Sequence, residues 1–404
     1  MSQQLINRSP DLKRLRDEGY EVEVRAGYLM IHNVPYVNSR REIARGALVS
    51  ELTLSGDKTR KPDNHLALFT GDYPCNQDGS KITQIEHQAI NSKIGDNLVA
   101  RFSFSNKPPE GYPDYYQKMV RYITILSNPA RSIDPTASAQ TFKTVTVAEG
   151  ESVFSYLDTA SSRAGINAVS EKLKGWRIGI VGVGGTGSYV LDLVAKTPVN
   201  EIHLFDGDTF LQHNAFRAPG APSMEVLDQH LKKVDYLASI YSNMHKNIVP
   251  HPEYVDETNL DQIFALDFIF LCMDGRGSKK LLIEKLEEHG KPFIDVGMGV
   301  ELIDERSSLI GILRATTSTN EKRDHVRGKN RISFSAVEGH DDYAQNIQIA
   351  DLNALNASLA VIKWKKLCGF YMDVTGEHNT TYTINDNLLT SEDLLHEEPP
   401  TPEA

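Results

Sequence analysis

Between residues 182 and 274 the chain spaces glycines, acids, an amide and cations in an order suited to a nucleoside triphosphate. First comes Gly182-Val183-Gly184-Gly185-Thr186-Gly187-Ser188, whose glycines can turn the backbone sharply and let phosphates approach it. Asp206 stands 22 residues after Gly184, where an acid can hold a ribose, and Asp208 follows it. Asn214 and Arg217 complete a D-x-D-x5-N-x-x-R cluster, Lys233 comes next, and Asp274 closes the apolar run DFIFLCMD. Attack of a carboxylate on the α-phosphorus of ATP brings two anions together. Such a site needs cations to screen them and magnesium to carry away pyrophosphate charge. Asn214, Arg217 and Lys233 suit the first task and Asp274 the second. A nicotinamide dehydrogenase shares the glycine run and the acid but leaves the cationic cluster unexplained.

These side chains need a βαβ unit to hold them. A strand is predicted over Ile178 to Val183, running directly into the glycines. The following helix shows Val190, Leu191 and Val194 at helical spacing, and a short strand, Glu201 to Phe205, ends at Asp206. The helix amino terminus offers unpaired N–H groups and a positive dipole end to phosphate. Around this unit the pattern alternates. A helical lead-in covers Tyr156 to Leu173 and a further helix Ser223 to Tyr241. Strands are expected at Asp267–Cys272, Pro292–Val296, Leu309–Ala315 and Arg331–Ser335, and a long helix at Asp342–Cys368. Residues 151–372 are therefore expected to form an α/β domain with a Rossmann-like, mostly parallel sheet and helices on both faces.

At this point the chain resembles the family of ThiF, MoeB and the adenylation domains of ubiquitin-activating enzymes, over roughly residues 155 to 370. The motif GxGGxGS is met by Gly182, Gly184, Gly185, Gly187 and Ser188, and the D-x-D…N-x-x-R motif at Asp206 to Arg217. Lys233 and the Cys272-Met273-Asp274 strand end complete the order. The resemblance implies ATP as substrate, with Asp206 or Asp208 on the ribose and Asn214, Arg217 and Lys233 on the phosphates. It implies magnesium at Asp274, a homodimer, and Arg163 as the arginine donated to the partner's site. A ubiquitin-like or sulfur-carrier-like small protein would supply the carboxylate. The CxxC pairs of many relatives are missing, so no zinc is expected. No cysteine lies between Cys272 and Cys368, where ubiquitin-activating enzymes carry a thioester cysteine; both read as packing residues. Other carboxylates, on an RNA nucleoside or a peptide, and a non-catalytic nucleotide-binding adaptor are the alternatives.

Residues 1–145 read as a smaller α+β domain. A charged helix (Pro10 to Glu18) precedes strands at Glu21–Arg25, Tyr28–His32, Ala47–Leu54 and His65–Thr70. A helix at Tyr115–Leu126 is followed by the breaker SNPARSIDPTAS. The opening resembles a ubiquitin-conjugating fold, as in bacterial ThiF-type proteins with an extra leading domain. Cys75, in the turn-rich DYPCNQDG, is expected to be accessible and able to accept an activated acyl group. The bland alternative is a buried thiol. Three cysteines without close pairs imply a reducing, cytoplasmic setting, and no apolar run is long enough for a membrane span. Of the formal net charge of −11, eight negative charges fall after Lys366. The remainder is close to neutral and gives no basic field for nucleic acid. From Gly376 the acidic residues read as a mobile tail, whereas Glu321–Arg331 (EKRDHVRGKNR) is basic and reads as a loop guiding a substrate tail or as a solvated surface.

Overall fold

The computed structural model describes residues 2–94, 98–145, 152–273, 276–332 and 347–395. Two compact units are present: residues 1–145 with 162–164, and residues 146–161 with 165–404.

The first unit is an antiparallel sheet covered by a helix. Its strands are β1 (Glu21–Arg25), β2 (Tyr28–Val37), β3 (Ile43–Glu51), β6 (Leu66–Phe69), β7 (Glu86–Ile94) and β8 (Leu98–Ser105). They hydrogen-bond in the order β1-β2-β3-β6-β8-β7, and β4 (Leu54–Ser55) with β5 (Lys58–Thr59) forms a small separate ribbon. The helix Tyr115–Ile133 buries Met119, Tyr122, Ile123 and Leu126 in a core with Leu29, Ile31, Phe69 and Phe104. Asp114 caps it, accepting a hydrogen bond from the Gln117 N–H at 2.7 Å. The expected breaker at Ser127–Pro129 does not end this helix, which runs to Ile133 with Pro129 inside it. The buried stripe continues through Ser127 to Ala130, and core packing offsets the backbone bond that proline cannot make.

The second unit is an α/β layer structure. Its strands are β9 (Arg177–Val181), β10 (Glu201–Phe205), β11 (Ile248–His251), β12 (Phe268–Leu271), β13 (Phe293–Ile303), β14 (Ser308–Ser318), β15 (Asn379–Thr383) and β16 (Leu388–Glu392). The sheet order is β11-β10-β9-β12-β13-β14-β15-β16. The first five run parallel and the last three are added antiparallel. Two cores line opposite faces of the parallel part. Ile178, Ile180, Ile202, Leu204, Phe268 and Phe270 face one way and pack with Val190, Leu191, Leu237 and Trp364. Val181, Phe205, Ile269, Leu271 and Phe293 face the other, with Ile263, Leu282 and Leu286. Burial on both faces is why these strands read as unbroken apolar runs. The chain moves from β9 to one side (β10, β11) and then to the other (β12, β13), so its order reverses at the carboxyl end of β9. Such a switch point opens a crevice for a ligand.

Several expected elements differ. Tyr156–Leu173 is not one helix but Thr159–Ala164, Asn167–Ser170 and a 3-10 turn at Glu171–Leu173, broken at Gly165 with φ +71°. Ser223–Tyr241 is split into Met224–Leu227 and Lys233–Tyr241, with His230 in the left-handed region at φ +49°. The long C-terminal helix spans Ala350–Leu367; residues 342–346 of the expected helix lie outside the described residues. Arg331 and Ile332 are not in a strand, and 333–335 lie outside the described residues.

The acidic tail is not a free segment up to Glu392. β15 and β16 extend the sheet, and they meet the basic stretch. Arg331 reaches Glu392 at 2.8 Å and Asp393 at 2.9 Å, Lys329 also pairs with Asp393, and Arg327 pairs with Glu287. Burial alone would raise the Asp393 carboxyl, but Lys329 and Arg331 hold it below its ordinary value. The cations expected to guide a substrate tail are thus engaged with the protein's own acids.

His378 leads into β15 and is 1% exposed; its Nδ1 is 2.8 Å from the Gly376 carbonyl. Burial lowers its imidazole from about 6.5 to about 4. The folded state therefore resists a proton that the unfolded chain accepts, and this contribution to stability is lost as pH falls from 6.5 towards 4. Between pH 7 and pH 5 the wild type should lose roughly 2 kcal/mol from this group. His378→Gln should flatten that slope in thermal melts at the two pH values; equal slopes would remove His378 as the cause.

Candidate nucleotide site

The glycine turn follows β9. Gly182 has φ +84°, and a Cβ there would lie 2.7 Å from the Cys272 carbonyl oxygen. A Cβ on Gly187 would sit 1.9 Å from the Gly182 carbonyl oxygen, so the first turn of the helix Gly185–Val194 closes directly on the strand end. A Cβ on Gly185 would meet the Asn353 amide nitrogen at 2.2 Å. Gly184 differs: nothing lies within 4 Å of its Cβ position, so its absent side chain makes room for no protein group. Three glycines are required by packing, and Gly184 leaves the backbone open on the outside of the turn. The Ser188 hydroxyl is buried and donates to the Gly185 carbonyl at 2.7 Å, inside the first turn of the helix.

Asp206, at the end of β10, braces this turn. One carboxylate oxygen accepts the Val183 N–H and the other the Asp208 N–H, each at 2.9 Å. Asp208 is more open, with 30% of its side chain exposed. Its Oδ2 pairs with the Lys233 Nζ at 2.6 Å and its Oδ1 accepts the Tyr254 hydroxyl. Burial would raise the Asp208 carboxyl, but the Lys233 and Tyr254 hydrogen bonds and the lysine charges bring it below its ordinary value. Lys233 opens its helix, is 6% exposed, and lies 3.9 Å from Asp206. Its backbone N–H also donates to the Asp208 carbonyl at 3.0 Å, so strand end and helix start are tied twice.

Asn214 is 2% exposed and its Oδ1 accepts the Leu211 N–H at 2.9 Å; its Nδ2 is buried without a hydrogen-bond partner among the described residues. Three residues on, the Arg217 Nε is also buried without one. A buried unmade donor costs about 1–3 kcal/mol, so two in one motif leave room for an acceptor that the described residues do not supply. Burial first, then the Arg217 and Lys233 charges, lowers the His213 imidazole, which places these cations in one local field. The donors and the open Gly184 backbone fit a phosphate-bearing ligand such as ATP. Asp274 lies outside the described residues. Among the described residues no three His, Cys, Asp or Glu side chains group as a metal site.

Residues 159–301 match the ThiF family model. This stretch is a ThiF family domain. Residues 10–159 match a model described as a domain of unknown function (DUF6791). No curated protein matches the chain. Among solved structures, one of E. coli MccB with ATP is 16% identical, with a TM-score of 0.45, over 61% of this chain and 74% of that one. The microcin C7 biosynthetic enzyme MccB in complex with N-formylated MccA is 16% identical, with a TM-score of 0.41, over 58% and 69%. PaaA is 16% identical, with a TM-score of 0.44, over 69% and 94%.

Beside the expected site stands one residue that was not expected, and several expected residues lie elsewhere. Tyr254, 66% exposed, touches Asp208 and lies under Gly207, where a Cβ would be 2.7 Å from its ring. It stands far from the motif in sequence, and no local pattern marks it. Arg163 groups with the first unit, where its guanidinium donates to the Asp17 carbonyl at 2.6 Å. Cys272 packs against the main core, as does Cys368, whose thiol burial pushes up to about 12.

Cys75 is not accessible. It is 1% exposed, its N–H donates to the Val37 carbonyl at 2.8 Å, and its thiol points at the Tyr73 carbonyl at 3.3 Å. Burial, opposed by Lys81 and aided by Asp78, raises its pKa, the reverse of what an acyl acceptor needs. The turn residues allow the loop to fold back tightly, and that folding turns Cys75 inward. Iodoacetamide should label native Cys75 at least about 100-fold more slowly than the unfolded chain. Rapid labelling located to Cys75 by mass spectrometry would restore it as a candidate acceptor.

Proposed function

We propose that the ThiF domain is an ATP-dependent adenylyltransferase acting on the C-terminal carboxylate of a small ubiquitin-like or sulfur-carrier-like protein. The observation that carries this reading is the pair of buried, unpartnered donors on Asn214 and Arg217, in a motif packed to a glycine turn whose backbone is open at Gly184. A carboxylate oxygen attacks the α-phosphorus; a new phosphorus–oxygen bond forms as the bond to the departing pyrophosphate oxygen breaks. Charge accumulates on the phosphate oxygens during this step, where fixed donors in a water-poor site are most effective. Asn214 and Arg217 supply such donors without first breaking protein hydrogen bonds at these atoms. Lys233 is held in place by Asp208 and adds charge at the helix start. Asp206 keeps the glycine turn in shape, and Asp206 or Asp208 serves the ribose.

Magnesium at Asp274, a cytoplasmic homodimer and donation of Arg163 to the partner's site belong to the same reading and rest on the family resemblance. With Cys75 buried, the domain's product is the acyl-adenylate, handed to an acceptor outside this site.

ATP–pyrophosphate exchange on the purified chain tests the proposal, with and without candidate small proteins ending in glycine. Carrier-dependent exchange that Asp274→Ala abolishes supports it. ATP binding with no exchange for any protein carrier would move the substrate to another carboxylate, or the domain to an adaptor.

A further inference from the structure

The helix Ala350–Leu367 carries a residue outside every motif that ties two parts of the site together. Asn353 is fully buried. Its Oδ1 accepts the Thr186 hydroxyl at 2.9 Å, inside the glycine run, and its Nδ2 donates to the Arg217 carbonyl at 3.3 Å. The amide lies against the glycine helix so closely that a Cβ on Gly185 would be 2.2 Å from Nδ2. Gly185 is therefore glycine because Asn353 occupies its side-chain space. The Arg217 backbone is held at both ends, its N–H by the Asn214 carbonyl at 3.1 Å and its carbonyl by Asn353. Its guanidinium Nε remains buried without a partner among the described residues.

Resting on the reading of this region as the ATP site, we propose that Asn353 is the positioning residue that sets Arg217 against the glycine turn. It touches no reacting atom. An amide is the side chain that suits both contacts, since it accepts from a hydroxyl and donates to a carbonyl at once. Leucine fills similar space and satisfies neither. Aspartate keeps the Thr186 contact but turns an acceptor towards the Arg217 carbonyl. The helix thus carries, from some 136 residues downstream, the brace that makes the D-x-D…N-x-x-R motif productive.

The test is a double-mutant cycle on ATP affinity, measured by calorimetric titration of the full chain. Asn353→Leu and Arg217→Ala are each expected to weaken ATP about 10- to 100-fold. If Asn353 acts through Arg217, the double variant binds no worse than the weaker single. Thr186→Val should share part of the Asn353→Leu loss and Thr186→Ser should restore binding, which keeps the test available if Asn353→Leu does not fold. Multiplying effects in the double variant, or an Asn353→Leu chain that binds ATP as the wild type does, overturns the positioning role and leaves the ATP site intact. A wild-type chain that binds no ATP overturns the nucleotide reading, and this inference with it.

Discussion

Arg217→Ala should lower carrier-dependent ATP–pyrophosphate exchange by about 100- to 1,000-fold while leaving the melting temperature of the domain close to that of the wild type. The two expectations have one origin. The Arg217 Nε is buried and makes no hydrogen bond among the described residues, so truncation there removes a donor that their packing does not use. Loss of an unmade bond removes a desolvation penalty and partly offsets the lost packing of the side-chain stem. In the transition state the same donor faces growing charge on phosphate, and there its loss is felt in full. Arg217→Lys should recover little, because a point charge does not reproduce the planar fork. Exchange at the wild-type rate in Arg217→Ala would remove this residue from the chemistry. A large fall in melting temperature would instead show that the guanidinium serves the fold.

Gly187→Ala should destabilise the second unit by more than about 3 kcal/mol and abolish ATP binding. The new Cβ would lie 1.9 Å from the Gly182 carbonyl oxygen and 3.1 Å from the Cys272 Cβ. The first of these is backbone, at the end of a strand paired on both sides, so it cannot swing aside as a flexible side-chain tip would. The helix must move away from the strand, and with it Val190, Leu191 and Val194, all fully buried. Gly184→Ala is the informative contrast. No group lies within 4 Å of the added carbon, so it meets no clash and any loss of stability should be far smaller than in Gly187→Ala, while ATP affinity falls. Denaturant melts and ATP titrations on the two variants separate the roles. A Gly187→Ala chain that melts with the wild type would mean the turn is looser than its contacts indicate; a Gly184→Ala chain with full affinity would place the phosphates elsewhere.

The parts legible in sequence share a physical basis in short range. β10 at Glu201–Phe205 and β1 at Glu21–Arg25 are legible because apolar or alternating runs end at turn residues within a few positions. The helix after the glycines showed its buried stripe at Val190, Leu191 and Val194 for the same reason. Where competing forces come from distant chain, local signals misled. Pro129 looks like a stop, yet the core under Tyr122, Leu126 and Ala130 carries the helix past it. The run from Gly376 is acidic and reads as solvated, but pairing of Asn379–Thr383 with β14, and of Glu392 and Asp393 with Lys329 and Arg331, gives it a place in the sheet. Cys75 sits among turn formers, and turn chemistry says nothing about which way a side chain faces once the loop folds back.

By itself the sequence determined the α/β class, the glycine turn, and the order of acids, amide and cations, since each depends on residue type and on spacing within one βαβ unit. What those residues do for one another comes from the folded structure. It assigned both oxygens of Asp206 to backbone N–H groups, paired Asp208 with Lys233 and Tyr254, and left donors on Asn214 and Arg217 unmatched. It also brought Asn353 to Thr186 and Arg217 across 167 and 136 residues of chain. Contacts of that separation are settled by how helices pack on a sheet, and packing depends on the whole core rather than on the residues that finally touch.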